Sequence, residues 1–226
     1  MKERPILFSA PMVRALLAGT KTQTRRVVKL SEEWHPDARA ARVIGVGDDG
    51  IAAMPLDEFG RMLGQAIRCP YGQPGDRLWV REAFMHEPAD YCWEASVSIP
   101  CRPAVTTYRA DVEGDSRGAG WSPSIHMPRA LSRIDLEITA VRVERLQSIS
   151  EADARAEGIV CGDGSWSKTD SGEAYQRDKF GWYVTGQHAR HNAPSYAYRA
   201  LWEQVNGPGS WDANPWVWVV EFRRVD

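Results

Sequence analysis

A run of basic and hydroxyl-bearing side chains near the start of the chain is the first candidate for chemistry. It reads Gly19-Thr20-Lys21-Thr22-Gln23-Thr24-Arg25-Arg26. A lysine that is removed from water has a lowered pKa and can accept a proton from a nearby hydroxyl. Lys21 could therefore act as a base toward Thr24, and Arg26 could hold a carboxylate or a phosphate. The alternative is that the run is a solvated turn without a chemical role.

Glu157 is the second candidate because of its position in a predicted helix. That helix begins with the capping box Ser150-x-x-Asp153 and is expected to end at Gly158. Glu157 would then lie at the negative end of the helix dipole, where a carboxylate is disfavoured by roughly 0.3–1 kcal/mol. Two interpretations stay open, a tolerated surface glutamate and a carboxyl that exchanges protons with a substrate.

Trp79 and Glu82 form a third candidate group in the middle of the chain. Aromatic faces stack on nucleobases, and a carboxylate accepts hydrogen bonds from an exocyclic amine. Packing in the core is the alternative for Trp79. The five His residues form no triad and no H-E-x-x-H pattern, and G-x-S-x-G, P-loop and G-x-G-x-x-G motifs are absent. Hydrolase, NTPase and dinucleotide sites of those kinds are therefore excluded.

The composition limits the class of protein further. The 226 residues are 43% hydrophobic and 26% charged, which is ordinary for a globular protein. The net charge of −2 argues against a protein that grips duplex nucleic acid through many phosphate contacts, because such domains are strongly basic. A nucleoside, a nucleotide or a short single strand is compatible with that charge.

Membrane and cysteine patterns favour a reducing cytoplasm. No stretch of about 18 apolar residues is present to span a membrane. Ser and Pro interrupt the first apolar run, which argues against a signal peptide. The four cysteines are Cys69, Cys92, Cys101 and Cys161, which lie far apart without a C-x-x-C pair. Free thiols are one interpretation and a structural zinc site is the other.

Apolar spacing and turn signals predict the main elements. Helices are expected near residues 11–18, 150–157 and 195–205, and strands at Leu78–Phe84, Asp135–Leu146 and Trp216–Phe222. Short helices between separated strands, without a βαβ repeat, indicate an α+β barrel. In a regular strand Lys21 and Thr24 would point to opposite faces, so they can meet only if the segment turns or bulges.

Two local features complete the prediction. The apolar positions of the strand at Asp135–Leu146 switch face after Ile138, which indicates a β-bulge. Residues 161–194 have loop composition, with Trp166, Trp182 and Tyr183 embedded in it. Such a segment could form a mobile lid that reaches the cleft between Lys21 and Glu157.

These motifs, in this order, resemble those of ASCH domains. The opening Ile6-Leu7-Phe8-Ser9 and the run that ends at Arg26 resemble their G-x-K-x-x-x-x-R signature. Gly75-Asp76-Arg77-Leu78 resembles their Gly-Asp-x-Leu start of a barrel strand, and the segment before Gly158 resembles their helix ending in Glu-Gly. The resemblance covers nearly the whole chain as one domain, residues 1–226, with insertions at about 30–73, 86–124 and 161–194. This long form is similar to proteins common in phage and prophage genomes.

The resemblance implies a PUA-like β-barrel with short flanking helices and long loop insertions. PUA-like domains typically bind RNA or modified bases, and small bacterial ASCH proteins are amidohydrolases that remove acyl groups from the N4 amine of cytosine nucleosides. Those enzymes use a Lys, a Thr three residues later and a Glu on a following helix. These roles would fall on Lys21, Thr24 and Glu157. The candidate substrate-binding residues are Arg26, Trp79, Glu82 and Ser9.

The resulting hypothesis is acyl transfer without a metal or another cofactor. Lys21 accepts the proton of Thr24, Thr24 attacks the amide carbonyl on N4, and Glu157 protonates the departing nitrogen. Backbone N–H groups of the Thr20–Thr24 turn, or the Arg26 side chain, are the candidate donors for the oxyanion. One alternative is a module that binds RNA or a modified base without turnover. Another is a ribonuclease in which Lys21 and Arg26 stabilise phosphate charge.

Overall fold

The computed structural model describes residues 1–29, 40–45, 51–57, 59–62, 66–87, 90–94, 97–102, 104–112, 120–162, 166–168, 174–176, 181–184 and 193–225. Within this part the helices are α1 (Ala10–Leu17), α2 (Glu151–Ala156) and α3 (Pro194–Asn206). The strands are β1 (Glu3–Leu7), β2 (Gln23–Val27), β3 (Ala40–Gly45), β4 (Ile51–Leu56), β5 (Ile67–Arg68), β6 (Arg77–Arg81), β7 (Phe84–Glu87), β8 (Asp90–Glu94), β9 (Val97–Arg102), β10 (Val105–Tyr108), β11 (Asp135–Arg145), β12 (Ile159–Gly162), β13 (Trp166–Lys168), β14 (Ala174–Gln176), β15 (Gly181–Val184) and β16 (Trp216–Val225). None of the described helices is long and apolar enough to cross a membrane.

The central sheet has five strands in the order β1-β6-β11-β16-β2. β1 and β6 are parallel, while the other three pairings are antiparallel. The remaining described strands form a three-stranded sheet, β3-β4-β5, and the pairs β7-β10, β8-β9, β12-β15 and β13-β14. A parallel sheet between layers of helices is therefore excluded for the described strands, and the predicted α+β class is confirmed.

Closure into a barrel is not found among the described strands, because β1 and β2 are the two edges of the central sheet. The edges nevertheless approach each other at one point. The guanidinium of Arg26 in β2 donates a hydrogen bond to the backbone carbonyl of Leu7 at the end of β1. A side chain thus joins the two edge strands, which backbone hydrogen bonds would join in a closed barrel.

β16 explains how this sheet organises the interior. Every residue from Trp216 to Val220 is buried, as expected for a strand that is apolar on both faces. Successive side chains of a strand point to opposite faces, and β16 accordingly contributes to two hydrophobic clusters. Trp216, Trp218, Val220 and Phe222 join the cluster that includes α1 and β6, whereas Val217 and Val219 join the cluster that includes α2 and α3.

The predicted bulge in β11 is confirmed. Ile138 pairs with Phe222 and Ala140 pairs with Glu221, so Thr139 is an extra residue in the ladder between β11 and β16. The extra residue shifts the alternation by one position, which accounts for the face switch in the sequence.

The strand predicted at Leu78–Phe84 is wrong as a single element. β6 ends at Arg81, and β7 begins at Phe84 and pairs with β10 instead. Glu82 lies between them, fully withdrawn from solvent and bound to Arg133 rather than to a neighbouring strand. The chain changes sheets at the residue that makes this ion pair.

The predicted insertions contain more regular structure than their composition indicated. β3 to β5 lie between residues 30 and 73, and β12 to β15 lie largely between 161 and 194, where a loop was expected. α3 lies against β12 and β15. The side chains of Trp166, Trp182 and Tyr183 lie outside the described residues, and the predicted lid stays a prediction.

Gly158 brings α2 close to the start of β2. Its φ of +95° lies in the left-handed region, where residues with a Cβ are strained. A Cβ at this position would lie 2.9 Å from Ala15 Cβ and 3.3 Å from Lys21 Cβ. Gly158 is thus required both by its backbone conformation and by the close approach of Lys21.

We expect Gly158→Ala to destabilise the fold more than the matched substitution Gly19→Ala. Gly19 also has a positive φ, +73°, but a Cβ there meets nothing within 4 Å. Gly19→Ala should cost roughly 1 kcal/mol of backbone strain, whereas Gly158→Ala should cost roughly 2–4 kcal/mol because the overlap is added. Urea unfolding monitored by circular dichroism measures both values, and equal losses would contradict the close-approach explanation.

Candidate active site

The Lys21–Glu157 ion pair is the centre of the candidate site. The Lys21 side chain is 0% exposed and the Glu157 side chain is 3% exposed. Lys21 Nζ donates to Glu157 Oε2 over 2.7 Å and to the Glu157 backbone carbonyl over 3.0 Å. Neither residue is a solvated surface group, so the two alternatives that the sequence left open for them, an exposed turn and a surface glutamate, are wrong.

Backbone contacts hold the two residues together. Lys21 and Glu157 form an isolated β-bridge, and the Thr22 N–H donates to the Ala156 carbonyl over 2.8 Å. The Lys21 N–H donates to the Ala15 carbonyl at the end of α1. The end of α1, the start of β2 and the end of α2 therefore meet at one point.

Arg25 connects this pair to a second layer of charges. Its Nη1 lies 3.3 Å from Glu157 Oε1, so both carboxylate oxygens of Glu157 face a cation. Its Nη2 lies 2.6 Å from Glu144 Oε1 and 3.3 Å from Asp153 Oδ2. Arg25 is thus held by three carboxylates, and Asp153 is the same residue that completes the capping box of α2.

Burial is the largest influence on Lys21. Loss of water lowers the pKa of Lys21 below its ordinary value of 10.5, although the Glu157 carboxylate acts in the opposite direction. The charges of Arg26 and Arg25 lower the pKa of Lys21 further. An amine in this environment releases its proton more readily than a surface lysine does, and a lysine must lose its proton before it can act as a base.

A cavity of about 340 Å³ opens beside the pair. Thr24, Arg25, Arg26 and Glu157 contribute polar groups to its wall, and Tyr71, Tyr198 and Trp202 contribute aromatic rings. Met12 and Leu201 add apolar surface. A cavity of this size with mostly apolar walls and a few polar groups is typical of a site for one small ligand.

Thr24 and Lys21 differ in their relation to the cavity. Thr24 and Glu157 both line the cavity, whereas Lys21 is fully buried and is not among the lining residues. β2 begins at Gln23, so the alternation of the strand does not extend back to Lys21. Among the described residues both side-chain hydrogen bonds of Lys21 go to Glu157.

Arg26 is the one predicted substrate-binding residue that reaches the cavity. Its guanidinium carbon lies 5.3 Å from the centre of the Phe8 ring, and Nη2 donates to the Leu7 carbonyl. The contact with Phe8 is a cation–π interaction. Arg26 is therefore oriented by the end of β1, with donors left over for a ligand.

Trp79, Glu82 and Ser9 do not line the cavity. Trp79 is 9% exposed and lies between the guanidinium groups of Arg81 and Arg129. Glu82 accepts hydrogen bonds from Arg133 at 2.8 and 3.1 Å. Ser9 is the N-cap of α1, where its backbone carbonyl accepts from Val13. No contact to the cavity supports the substrate-binding role predicted for these three residues.

Part of the predicted oxyanion site is also excluded. The N–H groups of Thr20 and Lys21 donate to the Ala15 carbonyl, and that of Thr22 donates to Ala156. Donors that are already bonded within the backbone cannot serve a ligand. These bonds do not exclude the N–H groups of Gln23 and Thr24 or the Arg26 side chain.

Sequence reasoning missed Arg25, Tyr198 and Trp202 as site residues. Tyr198 and Trp202 follow the apolar spacing of α3, which indicates packing in the core. They do pack there, with ring centres 6.3 Å apart, but the same face of α3 also forms the cavity wall. Burial raises the pKa of Tyr198 well above its ordinary value of 10.0, with Glu157 as the next cause, so its hydroxyl stays protonated.

We expect removal of Glu157 to cost more stability than removal of Lys21. Glu157→Leu leaves the Lys21 ammonium buried without a carboxylate partner, which should cost roughly 3–5 kcal/mol. Lys21→Met leaves Glu157 next to Arg25 and should cost less. The double variant should be more stable than Glu157→Leu alone, because it no longer contains the buried, unpaired ammonium of Lys21. Urea unfolding of the four proteins in a double-mutant cycle measures this, and strictly additive losses would show that the two side chains do not interact.

The chain matches no family model, no curated protein and no solved structure in comparisons with each. Its resemblance to ASCH domains rests on the quoted motifs. A functional assignment therefore depends on the geometry of the Lys21–Glu157 pair and of the cavity beside it.

Proposed function

We propose that the protein is an amidohydrolase that removes acyl groups from the N4 amine of cytosine nucleosides by metal-independent acyl transfer. The observation that carries this proposal is a desolvated Lys21–Glu157 pair beside a cavity that Thr24 and Glu157 line together. A nucleophile, a proton donor and a base of lowered pKa are the groups that amide hydrolysis through an acyl-enzyme needs.

The ion pair has a neutral counterpart that suits this chemistry. Moving one proton along the 2.7 Å contact from Lys21 Nζ to Glu157 Oε2 gives an amine beside a carboxylic acid. The net charge of the pair does not change, and burial disfavours the separated charges relative to the neutral form. The pair can therefore offer a base and an acid at the same time while it holds a single exchangeable proton.

The proposed reaction proceeds in two steps. Thr24 Oγ1 attacks the amide carbonyl carbon, its proton goes to the Lys21 amine, and the C–N bond breaks as Glu157 protonates the leaving N4 nitrogen. The products are an acylated Thr24 and the charged form of the pair. Water then attacks the ester, Glu157 takes a proton from that water, and Lys21 returns a proton to Thr24. For the first transfer, the amine must turn from Glu157 toward Thr24.

The walls of the cavity support a pyrimidine ligand. Tyr71, Tyr198 and Trp202 offer aromatic faces on which a base can stack. A volume of about 340 Å³ is at the small end of the range for ligand sites, which favours one nucleoside over a folded RNA segment.

We also propose that the chain has the PUA-like fold of ASCH domains. The order of the three motifs supports it, as does the approach of the two sheet edges at Arg26 and Leu7. The same aromatic cavity favours one alternative function, a module that binds a modified base without turnover. The ribonuclease hypothesis has less support, because Lys21 is buried and does not line the cavity in which a phosphate would lie.

We predict that Lys21→Ala and Thr24→Ala each lower kcat/KM for N4-acetylcytidine by roughly 10²–10⁴-fold. Lys21 and Thr24 act as one unit, so the double variant should be hardly slower than either single variant. Lys21→Arg should also fail, since arginine cannot be deprotonated in a protein. The matched control is Thr22→Ala, which removes an exposed hydroxyl from the same run and should keep full activity.

Ultraviolet absorbance of the cytosine product measures these rates. An active Lys21→Arg variant would contradict the role of Lys21 as a base. Full activity of Thr24→Ala would move the nucleophile elsewhere, most simply to a water molecule next to Glu157. Binding of N4-acetylcytidine by the wild-type protein without any hydrolysis would favour the binding module.

The pH dependence should show that the pair works with one proton. When Lys21 loses its proton at high pH, no acid is left for the leaving nitrogen, so kcat/KM should fall with a midpoint below 10.5, because burial lowers the pKa of Lys21. Glu157→Gln cannot carry that proton, and its residual activity should instead rise through the same range as Lys21 becomes neutral. Initial rates corrected for the uncatalysed reaction measure both profiles, and a wild-type rate that rises throughout would contradict the role of Glu157 as the acid.

A further inference from the structure

The charges on the cavity wall are unbalanced. Four charged residues line it, Arg25, Arg26, Lys29 and Glu157. Arg25 and Glu157 contact each other, and Arg25 has two further carboxylate partners. Among the described residues, Arg26 and Lys29 contact no carboxylate. Within the described part of the chain, the cavity thus carries two uncompensated positive charges, although the net charge of the chain is −2.

The two uncompensated cations differ in how firmly they are held. Arg26 is oriented by Phe8 and by the Leu7 carbonyl, and that hydrogen bond uses one of its five N–H donors. Lys29 lies two residues beyond the end of β2 with an exposed side chain. A fixed guanidinium and an adaptable ammonium on the same cavity form a combination that suits an anionic group of a ligand.

We propose that Arg26 and Lys29 bind the phosphate of the ligand, and that the protein therefore acts on a cytidine nucleotide rather than on the free nucleoside. Two positive charges match a phosphate monoester, which carries about −1.5 to −2 at neutral pH, better than they match a single carboxylate. The aromatic part of the cavity takes the base, and the phosphate lies at the side where Lys29 is exposed. The identity of the base rests on the proposed function, whereas the phosphate site rests on the charges of the cavity.

The test compares cytidine 5′-monophosphate, cytidine, inorganic phosphate and a short single-stranded RNA as ligands of the full chain by isothermal titration calorimetry. Cytidine 5′-monophosphate should bind at least about fivefold more tightly than cytidine, which corresponds to about 1 kcal/mol. This advantage should shrink as the salt concentration rises, because screening weakens exposed charge pairs. Inorganic phosphate should compete with the nucleotide.

Lys29→Glu should weaken binding of the nucleotide by about tenfold and leave cytidine binding unchanged. The matched control is Lys2→Glu, which makes the same change of charge at an exposed residue outside the cavity. It should alter neither affinity by more than about twofold. Equal binding of nucleotide and nucleoside, or equal effects of the two variants, would overturn the phosphate site. Much tighter binding of the RNA would overturn the assignment to a mononucleotide.

Hydrolysis separates this proposal from the proposed function. Preference for N4-acetylcytidine 5′-monophosphate over N4-acetylcytidine, lost in Lys29→Glu, supports both. Hydrolysis of the two substrates at equal kcat/KM would keep the amidohydrolase and overturn the phosphate site. Absence of hydrolysis with a nucleotide affinity that depends on Lys29 would keep the phosphate site and overturn the amidohydrolase.

Discussion

The buried contact between Lys21 and Glu157 is the interaction on which the rest of the site depends. Two charges removed from water cost several kcal/mol each unless they satisfy one another, and here a lysine and a glutamate that are 136 residues apart in the chain do so at 2.7 Å. Three features stabilise this contact. Gly158 leaves room for Lys21, a backbone bridge joins the two residues, and Arg25 contacts the second carboxylate oxygen of Glu157. The surrounding residues bury both side chains and exclude water from the pair.

The same desolvation gives the pair its proposed chemistry. A lysine at the surface stays protonated at neutral pH, whereas burial lowers the pKa of Lys21. Glu157 takes part in the buried ion pair and in the cavity wall, since one of its oxygens accepts from Lys21 and the residue lines the cavity. In the proposed reaction Glu157 therefore carries a proton between Lys21, which does not line the cavity, and the ligand within it. This arrangement accounts for the position of Lys21 outside the cavity wall.

The residues at the centre of the site could be predicted from the sequence, and their surroundings could not. Lys21, Thr24 and Glu157 occur in short local motifs that a single chain reveals, and the bulge after Ile138 follows from local alternation. Glu82 illustrates the limit, because its partner Arg133 lies 51 residues away and no periodicity links them. Tyr198 shows another limit, since the spacing of α3 cannot tell a face that packs in the core from one that also borders a cavity. The order of elements and the resemblance both predicted a closed barrel, yet among the described strands β1 and β2 stay the two edges of the central sheet, because strand pairing across a sheet leaves no local signal in the sequence.

The ionisation of Lys21 is the most direct test of this account. The chain has few lysines, Lys2, Lys21, Lys29, Lys168 and Lys179, so selective ¹³C labelling at Cε resolves each one in an NMR titration, and the Lys21→Met variant assigns the signal of Lys21. The account predicts that Lys21 titrates below 10.5, the ordinary pKa of a lysine. Titration of Lys21 at or above 10.5 would mean that the Glu157 carboxylate outweighs burial, and it would contradict the role of Lys21 as a base.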